Sequence, residues 1–184
     1  MTRGRPRPIV LAMSLAELLV SLALTGLLFS ATLTLLAQTQ QAWATGLARA
    51  ETQQAARVAL TRLVADIRAA GFGGAGFAAV AVAEPERVVL QQDIDGDGVI
   101  AAGGERVTWR LAASILRRDA GGGAQPIVNG VRALRLEYLD AAGAPTAIAD
   151  DVRSVAITLV LEPERPLKGV APLSVSTLVR LRNR

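Results

Sequence analysis

The sequence predicts an α+β protein, in which a long N-terminal α-helix, membrane-spanning over its first half, packs on an antiparallel β-sheet domain. Three observations lead there. Residues 18–37 form an uncharged apolar run, and about 20 apolar residues are what a helix needs to cross a bilayer core. The run passes without a proline into a stretch with apolar residues three and four apart, the spacing of an amphipathic helix. Beyond Phe77 the apolar period falls to two, the spacing of half-buried strands.

Charge bounds the partners. The formal charge of +4 invites a nucleic-acid reading, but Arg3, Arg5 and Arg7 precede the apolar run while every acid lies at Glu17 or beyond it. Without a leader ending at Ala12, 17 bases face 16 acids, a net of +1. No stripe of Lys and Arg with interleaved aromatics remains, so no nucleic acid is expected as a partner. Cysteine and histidine are both absent, which removes disulfides, thiolate chemistry and the usual general base. An enzyme is not expected.

At the N-terminus, Met-Thr-Arg-Gly-Arg-Pro-Arg-Pro is short and basic. Positive charge on that side keeps the N-terminus cytoplasmic and exports the chain beyond the span. Glu17 stands at the head of the apolar run, where a carboxylate costs roughly 2.5–3.5 kcal/mol on insertion scales. It breaks the apolar region a secretory signal peptide needs, and no convincing small-x-small cut lies downstream. A plain signal anchor would fit, yet would give Glu17 no task.

The residues Ala12-Met13-Ser14-Leu15-Ala16-Glu17-Leu18-Leu19-Val20-Ser21-Leu22-Ala23-Leu24 resemble the start of type IV pilins and type II secretion pseudopilins. Those families open with a short basic leader, a small residue before the cut, an apolar first mature residue and Glu at the fifth. The resemblance implies a leader over 1–12, cleavage by a prepilin peptidase between Ala12 and Met13, N-methylation of Met13, and Glu17 as the fifth-position acid. It implies other pilin or pseudopilin subunits as partners in the inner membrane. Ala12 stands where Gly is usual, Met13 where Phe is common, and Thr34 where a proline often softens the helix. An ion pair between the Met13 amine and a neighbour's Glu17 would satisfy two charges that are costly to bury alone. The bland alternative is a Glu at headgroup level.

The transmembrane half of the helix is read as 13–37 and the amphipathic half as 38–71, with Trp43, Leu47, Ala50, Ala56, Leu60, Leu63, Ile67 and Ala70 on the apolar face. The polar face holds Arg49, Gln53, Arg57, Arg62, Asp66 and Arg68, and Trp43 reads as an interfacial anchor. Gly71-Phe72-Gly73-Gly74-Ala75-Gly76 ends the helix. It lacks the lysine of a phosphate loop and comes after a helix instead of a strand. The segment 59–74 is similar to the helix end of PilW-like minor pilins and of the J-type pseudopilin.

The exported domain, 72–184, carries candidate strands at 78–82, 87–92, 105–111, 114–118, 133–139, 152–161 and 173–181. Val107, Trp109 and Leu111 alternate with Arg106, Thr108 and Arg110, and Leu134, Leu136 and Tyr138 with Arg135 and Glu137. Arg117, Arg118 and the arginines of the C-terminus read as solvated.

One loop carries chemistry. Asp93, Asp95 and Asp97, with Gly98 sixth and Ile100 eighth, match the opening of an EF-type calcium loop, and the Val99 carbonyl would add a ligand. The twelfth position is Gly104, so the closing acid, Glu105, comes one residue late. The competing reading is a solvated hairpin loop in which Asp and Gly serve turn geometry.

The sequence therefore favours a minor pilin or pseudopilin subunit, with a membrane-anchored binding module as the alternative and a carboxylate–metal hydrolase a distant third.

Overall fold

The computed structural model describes residues 14–74, 76–101, 103–163 and 169–183. Helix α1 spans Leu15–Ala69, and among the described residues eight strands succeed it: β1 Val80–Glu84, β2 Arg87–Gln91, β3 Arg106–Ala112, β4 Ile115–Asp119, β5 Gln125–Val128, β6 Val131–Leu139, β7 Ser154–Leu161 and β8 Leu173–Arg180. A 3-10 turn, Ala149–Asp151, precedes β7. The arrangement is α+β, as expected. The chain divides into two compact units, Met1–Ala44 and Thr45–Arg184.

In the first unit every described residue up to Ala42 is exposed, and the helix is long and apolar enough to cross a membrane, with mean hydropathy 2.0 over its most apolar window. Its hydroxyls make no demand on a solvent. Ser21, Thr25, Ser30, Thr32 and Thr34 each donate to a carbonyl three or four residues back, at 2.7–3.0 Å. Such back-bonding satisfies a polar side chain inside the helix, which is what an element facing hydrocarbon requires.

The second unit opens with the rest of α1, whose buried stripe is Ala48, Thr52, Ala56, Ala59, Leu63 and Ile67. This differs from the expected face: Leu47 is 44% exposed and Ala50 is exposed too, and Trp43, which belongs to the first unit, is 71% exposed. Residues 47 and 48 lie about 100° apart around a helix, and the buried seam takes the small side chains at 48, 52 and 56. Lower down, Leu63, Ile67 and Ala70 are buried as expected.

The strands form two antiparallel sheets where a single sheet was expected, one ordered β1-β2-β3-β4-β5 and the other β6-β7-β8. Asn129-Gly130 separates β5 from β6 by two residues, a length suited to a hairpin, yet the strands on either side belong to different sheets. Strand β5 has no counterpart among the candidate strands, because Pro126 argues against a central strand; it lies at a sheet edge, where proline is tolerated. Both sheets and α1 share one core, including Leu63, Ile67, Trp109, Leu116, Ile157 and Leu159. Tyr138 joins the sheets: its hydroxyl donates to the Glu84 carbonyl at 2.8 Å and the Arg87 carbonyl at 3.2 Å. Burial, with the Glu84 charge beside it, raises the pKa of that hydroxyl, so it stays a donor.

The end of α1 is closed from two sides. Gly71 takes φ +80°, the left-handed cap conformation, and its N–H donates to the Gln91 carbonyl at 2.8 Å. Asn183 Nδ2, near the C-terminus, donates to the Ala69 and Ala70 carbonyls at 3.3 and 3.2 Å, satisfying acceptors that a helix end leaves open.

Candidate functional site

Two places carry the residues singled out from sequence: the head of α1 and the loop between β2 and β3. At the head of α1, Ser14 N–H donates to Glu17 Oε2 at 2.9 Å while Glu17 N–H donates to Ser14 Oγ at 3.2 Å. This reciprocal pair is a capping box, which satisfies two amides at a helix start. The sequence reading missed it, although Ser-x-x-Glu before an apolar run is its signature. Glu17 thus has a local task besides any intermolecular one, and it lies exposed on the first turn. Ala12 and Met13, the expected cleavage pair, lie outside the described residues.

In the β2–β3 loop, Asp93 lies two residues past the end of β2 and Glu105 immediately precedes β3, so the sheet fixes both ends. Asp93 is 2% and Glu105 4% exposed, while Asp95 and Asp97 face solvent. Asp93 organises the turn with both oxygens: Oδ1 accepts from Gly96 N at 2.7 Å and Oδ2 from Gly98 N at 3.0 Å. Asp95 Oδ1 accepts from Asp97 N, and Asp97 Oδ1 from Val99 N, each two residues on, as Asx turns do. One oxygen from each of the three aspartates lies within 4.8 Å of the others.

Those separations fit a cation. Calcium binds oxygens at about 2.3–2.6 Å, so ligands on one ion stand up to about 5 Å apart. Each carboxylate oxygen keeps a lone pair beyond the one given to an amide. Glu105 does not join the trio. Its Oε1 accepts from Ile94 N and its Oε2 from Ala101 N, both at 2.8 Å, so it clamps the loop shut from the strand side. The Ala101 and Ile94 amides hold its pKa below the ordinary 4.5, against opposition from burial and the Asp93 charge. Val99 is 63% exposed, and its amide serves Asp97.

The glycine-rich stretch after α1 forms the floor of this loop. Asp93 N donates to the Phe72 carbonyl at 2.8 Å. Gly73 has φ +96°, and a Cβ there would collide with the Asp93 carbonyl and Cβ. Only glycine fits. Sequence reading treated the glycines as a helix stop alone, since nothing local links residue 73 to residue 93.

A third cluster ties α1 to the sheet. Asp66 Oδ2 accepts from Trp109 Nε1 and from Arg118 Nε, both at 2.7 Å, and Oδ1 accepts from Arg118 Nη2 at 3.2 Å. Asp66 and Arg118, expected on solvated faces, are 17% and 20% exposed along their side chains. The indole of a fully buried Trp109 needs an acceptor, and a carboxylate with one guanidinium partner supplies it.

No protein-family model matches the sequence, and no curated protein matches it.

Proposed function

We propose that this chain is a minor subunit of a type IV pilus or type II secretion pseudopilus. In this reading a prepilin peptidase cuts between Ala12 and Met13 and the Met13 amine is methylated. The subunit sits in the inner membrane with its N-terminus cytoplasmic before it joins other pilin or pseudopilin subunits, and it carries out no turnover. The observation that carries the reading is the construction of α1. One helix has an apolar, exposed first part headed by Ser14 and Glu17, and a later part whose small-residue seam is buried in an antiparallel β domain. The apolar part needs a covering that a bilayer, and then neighbouring helices, would supply.

Intact mass of the detergent-extracted protein, with and without co-expressed prepilin peptidase, tests this. Loss of residues 1–12 and gain of one methyl group are expected. Full-length mass in the presence of an active peptidase overturns the filament reading.

The second reading is a membrane-anchored binding module without a filament role, and the capping box favours it, since Ser14 already uses the Glu17 carboxylate. Under either reading we propose that calcium occupies the Asp93, Asp95 and Asp97 trio, with Glu105 holding the loop around it.

A further inference from the structure

The two sheets expose four edge strands, and three are blunted. Strand β1 breaks register between Val80 and Val82 and has the 3-10 turn beside it. Strand β5 is four residues long, contains Pro126 and shifts register against β4. Strand β6 shifts register between Val131 and Ala133, and two of its outer amides are taken: Val131 N donates to the Ser114 carbonyl at 2.9 Å and Leu136 N to the Pro85 carbonyl at 2.8 Å. These are the devices that keep edges from pairing with other chains.

Strand β8 has none of them. Its eight residues, Leu-Ser-Val-Ser-Thr-Leu-Val-Arg, pair one for one with β7 from Leu161↔Leu173 to Ser154↔Arg180, without a shift. It contains no proline, no glycine and no charge before Arg180. Among the described residues, no strand and no backbone hydrogen bond occupies its outer edge.

The C-terminal end of this edge borders an open groove of about 560 Å³ lined by Arg68, Leu178, Arg180, Leu181 and Arg182. No acid lines it, and among the described residues none of its three arginines has an ion-pair partner. Leu178, 63% exposed, shares the outer face with Arg180 two residues on.

We propose that β8 receives an extended segment of another polypeptide by strand addition, and that the arginines select a segment with an acidic residue at its N-terminal end. The direction comes from the sheet. All its pairs are antiparallel, and continuing that pattern puts the segment's N-terminal end beside Arg180. A carboxylate there meets guanidinium forks suited to it, and an apolar residue two positions later meets Leu178 across the strands. An anionic headgroup or nucleic acid would use the arginines but leave the edge amides unpaired. The proposal does not rest on the filament reading.

The test uses the full chain in neutral detergent with three capped octapeptides: ETVTVTVT, KTVTVTVT, and the first with alternate backbone nitrogens methylated. Fluorescence anisotropy should show the first binding about tenfold tighter than the second, with the methylated peptide not binding. Hydrogen exchange of the β8 amides should slow with the first peptide only. In Arg180→Glu the preference between the Glu and Lys peptides should invert. Undiminished binding of the methylated peptide overturns the proposal, as does β8 exchange unmoved by saturating peptide. β8 amides already protected in the peptide-free chain, alongside a dimer by sedimentation, assign the edge to a second copy and overturn it equally.

Discussion

Asp66 and Arg118 lie 52 residues apart in sequence and meet through two hydrogen bonds at 2.7 and 3.2 Å, with Trp109 donating to the same carboxylate. The cluster fixes the rotation of α1 on the strands, because only one helical register brings residue 66 over both donors. Asp66→Ala removes the acceptor of a buried indole and the partner of a largely buried guanidinium. The expected loss is about 3 kcal/mol, or roughly 10 °C in Tm for a chain of this size. Arg135→Ala is the control. Its pair with Glu137 is exposed on both sides, 74% and 56%, and such pairs contribute at most about 1 kcal/mol. Thermal unfolding in detergent, followed by Trp fluorescence, should separate the two variants clearly; equal shifts would show that the cluster does not lock the helix.

Glu17 offers a cleaner separation of roles than its removal alone. Gln can take the place of Glu in a capping box, so Glu17→Gln keeps the bond with Ser14 and deletes the charge. Glu17→Ala deletes both. If the charge pairs with a neighbouring subunit's amine, both variants fail to enter sheared filaments while Glu17→Gln retains wild-type helicity by circular dichroism. If capping is the whole of its task, Glu17→Gln assembles normally, and the amine pairing is discarded.

What was legible in the chain was what local pattern controls. Alternation placed β3 and β6 because Val107 and Trp109, and Leu134, Leu136 and Tyr138, turn inward at every second residue. Ser14 and Glu17 are equally legible as a capping box, since both partners lie within one turn, three residues apart. Other features depend on distant residues and leave no local mark. Asp66 and Arg118 resemble any solvated charges until their 52-residue separation is closed. The small side chains of the α1 seam lose to Trp43 and Leu47 on hydrophobicity, so over these turns the buried face is not the most apolar one. Period two likewise identifies strands without saying which share a sheet, which is why the break after β5 was missed.

Glu105 should make stability depend on pH in one window. Amide donors from Ala101 and Ile94 depress its folded pKa below the ordinary 4.5. A depressed carboxylate contributes fully above its unfolded pKa, and the contribution is lost as pH falls through the folded value. Glu105→Gln keeps the shape and one acceptor oxygen but has no charge to titrate. The Tm gap between wild type and Glu105→Gln should therefore be flat well above the ordinary 4.5 and close as pH falls below it, toward the acid limit at which the protein stays folded. Both proteins share every other acid, so the difference isolates this residue. A gap unchanged down to the lower limit would mean that the two amides do not favour the charged form.

Gly73 provides a test of the aspartate loop from outside the loop. It contributes no ligand, yet its lack of a Cβ is what allows the Asp93 backbone to sit against the helix end. Gly73→Ala meets both the Asp93 carbonyl and an unfavourable positive φ, and should cost about 2 kcal/mol. Gly76→Ala meets nothing within 4 Å and has no positive φ, so it should be close to neutral. Calcium binding would add a second signature. Wild type should gain about 2.7 kcal/mol at a calcium concentration roughly 100 times its Kd, lose it to chelator, and lose most of it in Asp97→Asn. In Gly73→Ala the calcium-dependent rise in Tm should shrink although all three aspartates are intact, because Asp93 can no longer hold Gly96 and Gly98 in place. A wild-type Tm indifferent to both calcium and chelator would leave Asp93 as the organiser of a turn and remove the ion from it.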